Sequence, residues 1–307
     1  RAAPYTHTER KRTRHRWRHS DVRNAPVYKT TYVTADYALG SDQGGLLQPI
    51  QQHSWDLTWA VPDPRGVHNT IFSVQPYYGE EELMMYFTEM PDYMPASVTF
   101  QGKPTYISEG KLLGGSPYEQ IFQHEDALIT LSEIPAGTNF EQVNGFFSKD
   151  LARLEEDASG WIFAQGGRAY IAYRPLAPYE WRPLEKGGKR LYSPHRQNGT
   201  ILQAASAREF ASWEDFKLTI RALPVTITRE PRLQVKFMTL SGRRIECTYG
   251  ESPKLEGRVV DYAREWKLFA GPYLNAEVGS RTLTLTHGRL TRILDFNTLT
   301  ITDAVAP

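Results

Sequence analysis

Apolar and polar residues alternate with a period of two through many short runs of this chain. Tyr28, Thr30, Tyr32 and Thr34 share one side of such a run, and Val27, Thr31 and Val33 the other, which predicts a strand. Ser54 to Val61 reads as a second strand, closed by the turn cluster Pro62-Asp63-Pro64-Arg65-Gly66. Thr70 to Val74, Leu83 to Phe87, Tyr106 to Gly114, Ala127 to Ile134 and Ile201 to Ala205 continue the series. Trp161 to Gln165 and Arg168 to Arg174 flank Gly166-Gly167, a two-residue hairpin signal. Only one segment has helical spacing. Ser212 can cap it, Trp213, Phe216, Ile220 and Leu223 recur along it, Pro224 stops it, and Ala207 to Ala211 extend it at the front.

Beyond Thr226 fresh alternation begins. Leu233, Val235 and Phe237 alternate with Gln234, Lys236 and Met238, and Leu283 and Leu285 alternate with Thr284 and Thr286. The expected fold class is therefore all-β: a large antiparallel β-sandwich over residues 26–225, one short helix, then a smaller β-sandwich domain over residues 226–307. A chain of 307 residues is long enough to bury a sizeable core without staples.

Charge changes the picture at the N-terminus. Residues 1–23 carry eight Lys/Arg against Glu9 and Asp21, a net of +6, while the remaining 284 carry 28 basic and 33 acidic groups, a net of −5. Residues 1–25 lack apolar periodicity and are expected to form a basic extended arm outside the fold core. Such an arm can bind anionic polymer or a membrane surface, serve as a solvated linker, or dock on the acidic body. Nucleic-acid binding rests on charge alone and is not expected. The single cysteine, Cys247, excludes an intrachain disulfide and reads as a small strand residue. No apolar run reaches the ~20 residues of a membrane span. The chain opens on Arg1, which predicts a processed N-terminus and a secreted or cell-surface location.

Four strings carry a resemblance. They are Lys29-Thr30-Thr31-Tyr32-Val33-Thr34-Ala35-Asp36-Tyr37-Ala38-Leu39-Gly40-Ser41, Trp161 to Tyr173, Trp266 to Tyr273, and Leu294-Asp295-Phe296. Residues 27–307 resemble the C-terminal β-region of heparinase II/III-like and alginate-lyase-like bacterial polysaccharide lyases. The resemblance implies a wide antiparallel sandwich followed by a smaller β-domain. In that group a helical toroid precedes the β-region and supplies much of the cleft and usually a catalytic tyrosine. The chain here matches only the β-region, so the resemblance implies a polysaccharide-associated part that is not catalytic alone. Its partners would be an acidic polysaccharide and either a second copy or a separate helical chain. The alternative is a self-assembling surface β-sandwich that uses its N-terminal arm for subunit contacts.

Uronate lyases need a base, an acid and a group that neutralises the carboxylate. The segment Tyr192-Ser193-Pro194-His195-Arg196-Gln197-Asn198 gathers such groups in one polar loop. Tyr192 and His195, with His53 beside the strand at Ser54, are the catalytic candidates; Arg196, Asn198 and Trp55 are the binding candidates. Asn198-Gly199-Thr200 is formally a glycosylation sequon, and Asn-Gly is also a turn pair; the turn is expected. No cofactor is expected. His124 and Asp126 would need a third ligand such as His53 or His68 to hold a structural divalent metal.

Overall fold

The computed structural model describes residues 13–19, 27–44, 54–61, 68–75, 99–100, 103–104, 116, 118–138, 140–184 and 188–305. The expected strands at Leu83 to Phe87 and Tyr106 to Gly114, and His53, lie outside the described residues.

In chain order the described strands are β1 (Thr13–His19), β2 (Val27–Val33), β3 (Ala38–Gly44), β4 (Trp55–Ala60), β5 (His68–Val74), β6 (Thr99–Phe100), β7 (Lys103–Pro104), β8 (Glu119–His124) and β9 (Ala127–Glu133). They continue as β10 (Val143–Phe147), β11 (Arg153–Glu156), β12 (Ile162–Gly166), β13 (Ala169–Pro175), β14 (Glu180–Pro183), β15 (Lys189–Ser193) and β16 (Gln197–Ser206). Helix α1 (Trp213–Ala222) follows, then β17 (Val225–Thr228), β18 (Gln234–Met238), β19 (Arg244–Thr248), β20 (Lys254–Leu255) and β21 (Arg258–Val259). A one-turn helix (Tyr262–Glu265) leads to β22 (Phe269–Ala270), β23 (Leu274–Ala276), β24 (Thr282–His287), β25 (Leu290–Asp295) and β26 (Thr300–Val305). The all-β expectation holds, and every sheet is antiparallel.

Sheet I has thirteen strands in the order β14-β15-β10-β5-β4-β3-β2-β1-β22-β23-β24-β25-β26. Sheet II is β11-β12-β13-β16-β9-β8, and sheet III is β17-β18-β19-β20-β21. Sheet II is the middle layer. One of its faces presents Leu128, Ile162, Ala164, Ile171, Tyr173 and Leu202 to Leu39, Trp55, Leu57, Trp59, Ile71 and Phe147 of sheet I. Its other face presents Ile129, Phe163, Tyr170, Ala172 and Ile201 to Trp213, Phe216 and Ile220 of α1 and to Val235, Phe237, Ile245 and Cys247 of sheet III. Alternate residues of one strand thus serve two cores, and β9, β12 and β13 are buried nearly throughout because neither face meets water.

Among the described residues sheet III shares its core with sheet II and closes on no further sheet, and β22 to β26 continue sheet I. The segment between them is tied to sheet I. The indole Nε1 of Trp266 donates to the Lys29 carbonyl at 3.1 Å, Tyr262 Oη donates to Gln43 Oε1 at 2.9 Å, and the rings of Tyr28 and Tyr262 stack at 5.1 Å. The chain therefore joins Pro224 to a region packed into the same body.

The extended-arm expectation needs correction. Thr13–His19 is a full strand, paired with β2 over seven positions and with β22 at Arg16 and Trp17. Ladder hydrogen bonds come from the backbone, so a strand flanked on both sides does not require apolar alternation. The helix matches its expectation: Ser212 Oγ accepts from Asp215 N, and Trp213, Phe216 and Ile220 are buried. Residues 207–209 do not extend it. They form a separate 3₁₀ turn, closed by a reciprocal capping box between Ser206 and Glu209.

Candidate functional site

β15 belongs to sheet I and β16 to sheet II, so Pro194-His195-Arg196 carries the chain from one layer to the next. Asn198 holds this crossing. Its Nδ2 donates to Ser193 Oγ at 2.8 Å and to the His195 carbonyl at 3.2 Å, and its Oδ1 accepts from Gly199 N at 2.8 Å. Asn198 is buried inside β16, so it is neither a binding residue nor part of a turn, and its amide is not open to glycosylation. Gly199 has φ +153°, and a Cβ there would stand 2.1 Å from the Thr130 carbonyl oxygen. The Asn-Gly pair is thus used for close approach of β16 to β9, not for chain reversal.

The crossing opens a groove of about 410 Å³, lined by Glu133, Ile134, His195, Arg196, Gln197 and Arg229. That volume lies within the ~300–1,000 Å³ common to small-ligand sites. Gln197 faces Glu133 across the β16–β9 ladder. Glu133 Oε1 accepts from Leu233 N at 2.9 Å, which ties the floor of the groove to sheet III. Arg229 Nη1 donates to the Gln197 carbonyl and side chain at 3.3 and 3.2 Å, and its Nη2 donates to the Leu176 carbonyl. Gln197 Nε2 returns a bond to the Arg229 carbonyl at 2.9 Å. The guanidinium is therefore fixed in direction. Arg196 is exposed and lies 3.7 Å from Glu141. His195 is exposed at the rim. The described lining offers two guanidinium groups and an imidazole beside Glu133 and the Glu141 partner of Arg196, an arrangement that can take an anionic ligand rich in hydroxyls. Tyr249 is close enough to Glu133 for that carboxylate charge to add to burial in raising the phenol above its ordinary value.

Of the described sequence candidates, His195 and Arg196 meet in this groove, and Tyr192, Asn198 and Trp55 do not. Tyr192 lies on β15 with the Arg182 guanidinium stacked 3.3 Å above its ring and Arg190 5.7 Å away. Trp55 is 1% exposed and donates Nε1 to Ser73 Oγ at 3.1 Å, so it is a core residue and cannot stack on a sugar. His124 and Asp126 are buried beside the β8–β9 turn, and among the described residues no three His, Cys, Asp or Glu converge as a metal site would require. Cys247 is buried in β19 and burial raises its thiol, which suits packing and not nucleophilic attack. Arg229 and Glu133 escape sequence reading, because only the β9–β16 register and the return of the chain before β18 bring them to His195.

Among the described residues no helix is long and apolar enough to cross a membrane. Comparison of the chain with protein-family models, curated proteins and solved structures gives no match.

Proposed function

We propose that this chain is the polysaccharide-associated β-region of a lyase-like protein of the secreted or cell-surface space, and that it holds an acidic polymer without cleaving it unaided. The observation that carries this reading is the groove that Arg196, Arg229 and His195 line together. Arg229 is held in place by three acceptor atoms, so it meets a carboxylate without first losing side-chain freedom. The one carboxylate lining the groove, Glu133, already serves the Leu233 amide and is poorly placed to take a proton from a sugar. The resemblance of residues 27–307 to the β-region of uronate lyases supports the polymer class.

The test is affinity electrophoresis of the chain in gels containing heparin, alginate, hyaluronan or glucuronan, with the absorbance of unsaturated uronate followed in parallel. At least one uronate polymer should retard the chain, a neutral glucan should not, and no absorbance should develop. Arg196→Ala and Arg229→Ala should each weaken retardation by roughly tenfold, the cost of one charge-assisted contact. Free migration through all four polymers, or cleavage by the chain alone, would overturn the proposal.

A further inference from the structure

The last three strands of sheet I carry an apolar face that nothing among the described residues covers. Register fixes which side chains share it. Leu283, Leu294 and Ile301 lie across β24, β25 and β26 in one row; Leu285, Arg292 and Asp303 form the next; His287, Leu290 and Val305 form the third. Leu285 also faces Leu274 on β23, which extends the middle row. The opposite face is mostly threonine, with Thr282, Thr284, Thr286, Thr291, Thr300 and Thr302 around Ile293 and Ala304. This is the alternation of a half-buried sheet. Yet Ile301 is 65% and Val305 70% exposed, and Leu285 and Leu290 are exposed as well. A contiguous apolar patch of this kind marks an interaction surface.

The charges within the face identify the occupant. Arg292 and Asp303 form a two-pronged pair, Nε to Oδ1 at 2.7 Å and Nη2 to Oδ2 at 2.8 Å, in the middle row of an otherwise apolar surface. Burying such a pair under a purely apolar partner strips water from both ions without return. A second copy of the same face supplies the missing charges. A two-fold axis running along the strands between β25 and β26 sets Arg292 against Asp303 of the second copy and Asp303 against its Arg292. The same operation sets Leu294 against Ile301 and Leu290 against Val305. Isologous interfaces require this reciprocity, and packed sheets keep their strand directions within about 30° of each other, which admits the aligned arrangement.

We propose that the chain forms a two-fold dimer by packing the β24–β26 face of one copy on that of another. This contact is distinct from the groove at His195 and uses none of its residues. It also departs from an assembly through the N-terminal segment, since residues 13–19 are committed to sheet I.

Sedimentation equilibrium of the full chain over a range of concentrations tests the proposal. The chain should sediment at twice its 35.1 kDa mass. Arg292→Asp and Asp303→Arg should each weaken the dimer at least about tenfold, because like charges then meet across the axis. An equimolar mixture of the two variants should dimerise again, since every contact across the axis then joins opposite charges. Leu294→Lys should yield a monomer and Thr302→Lys, on the threonine face, should not. If a charge-reversal variant loses its far-ultraviolet circular dichroism, the comparison of Leu294→Lys with Thr302→Lys decides alone. A wild-type monomer at every concentration, a mixture of folded reversal variants that stays monomeric, or a dimer untouched by Leu294→Lys overturns the proposal.

Discussion

Gly166→Ala is expected to cost the folded chain about 3 kcal/mol, at the upper end of what overpacking a core does. Gly166 ends β12, paired with Ala169 of β13. A Cβ built there falls 2.1 Å from Cε2 of Trp59 and 2.5 Å from its Cδ2 and Cζ2. No side-chain torsion of alanine relieves the overlap, and Trp59 is 1% exposed between sheets I and II, with no route to solvent. Either the indole leaves its rotamer or the hairpin lifts off sheet I, and both lose close packing. Urea unfolding of the variant measures the loss. Trp59→Leu in the same chain should recover part of it, because the clash is with the ring and contacting residues couple. A cost below about 1 kcal/mol for Gly166→Ala would mean that the glycine and the indole do not meet.

Glu119→Gln is expected to stabilise the chain above pH 8 and to leave it nearly unchanged at pH 4. Burial lifts the Glu119 carboxyl to about 8 from its ordinary 4.5, and the Ser54 hydroxyl, which donates to Oε2 at 3.2 Å, offsets this only in part. Below pH 4.5 the folded and unfolded chains both hold the proton, and the group contributes nothing adverse. Between pH 4.5 and 8 the unfolded chain releases the proton and the folded chain keeps it. Stability therefore falls as pH rises through this window, by roughly 3–5 kcal/mol in all. Glutamine retains the acceptor for Ser54 and carries no charge. Wild-type melting temperatures should decline from pH 5 to 8 more steeply than those of the variant. Asp56, lifted to about 6 by burial and by the neighbouring Asp42 carboxylate, adds a fall of the same sign between its ordinary 3.8 and 6 that the variant retains. Parallel curves for wild type and variant would show that Glu119 ionises freely in the folded chain.

Local features were readable where one element contains its own reason. Helix α1 follows from its capping serine and from three apolar residues at helical spacing, and its buried exception is Lys217, which pairs with Glu155 and Glu214. The hairpin at the two glycines was placed one residue early. The two-residue loop is Gly167-Arg168, and Gly167 takes φ +57°, while Gly166 stays in the strand because only a bare backbone fits under Trp59. What one segment owes to another was not readable. The apolar runs at the start of β12 and through most of β13 identify strands buried on both sides, but nothing in them says that one partner is sheet I and the other is α1 with sheet III. Trp55 and Asn198 suggested ligand contacts because aromatic and amide groups serve equally in cores and in sites. Their partners, Ser73 and Ser193, decide for the core. The polar loop containing His195 and Arg196 was visible, whereas Arg229 enters the groove from the far side of α1 in sequence.

The groove reading is tested most directly by following the imidazole carbon-bound proton resonances of His195, assigned by their loss in His195→Gln, while a uronate oligosaccharide is added. The ligand that retards the chain should shift these resonances in a saturable manner, and Arg229→Ala should weaken that response in step with the loss of retardation. Binding that saturates while the His195 resonances stay in place would contradict the account, because the anionic polymer would then be held elsewhere on the protein.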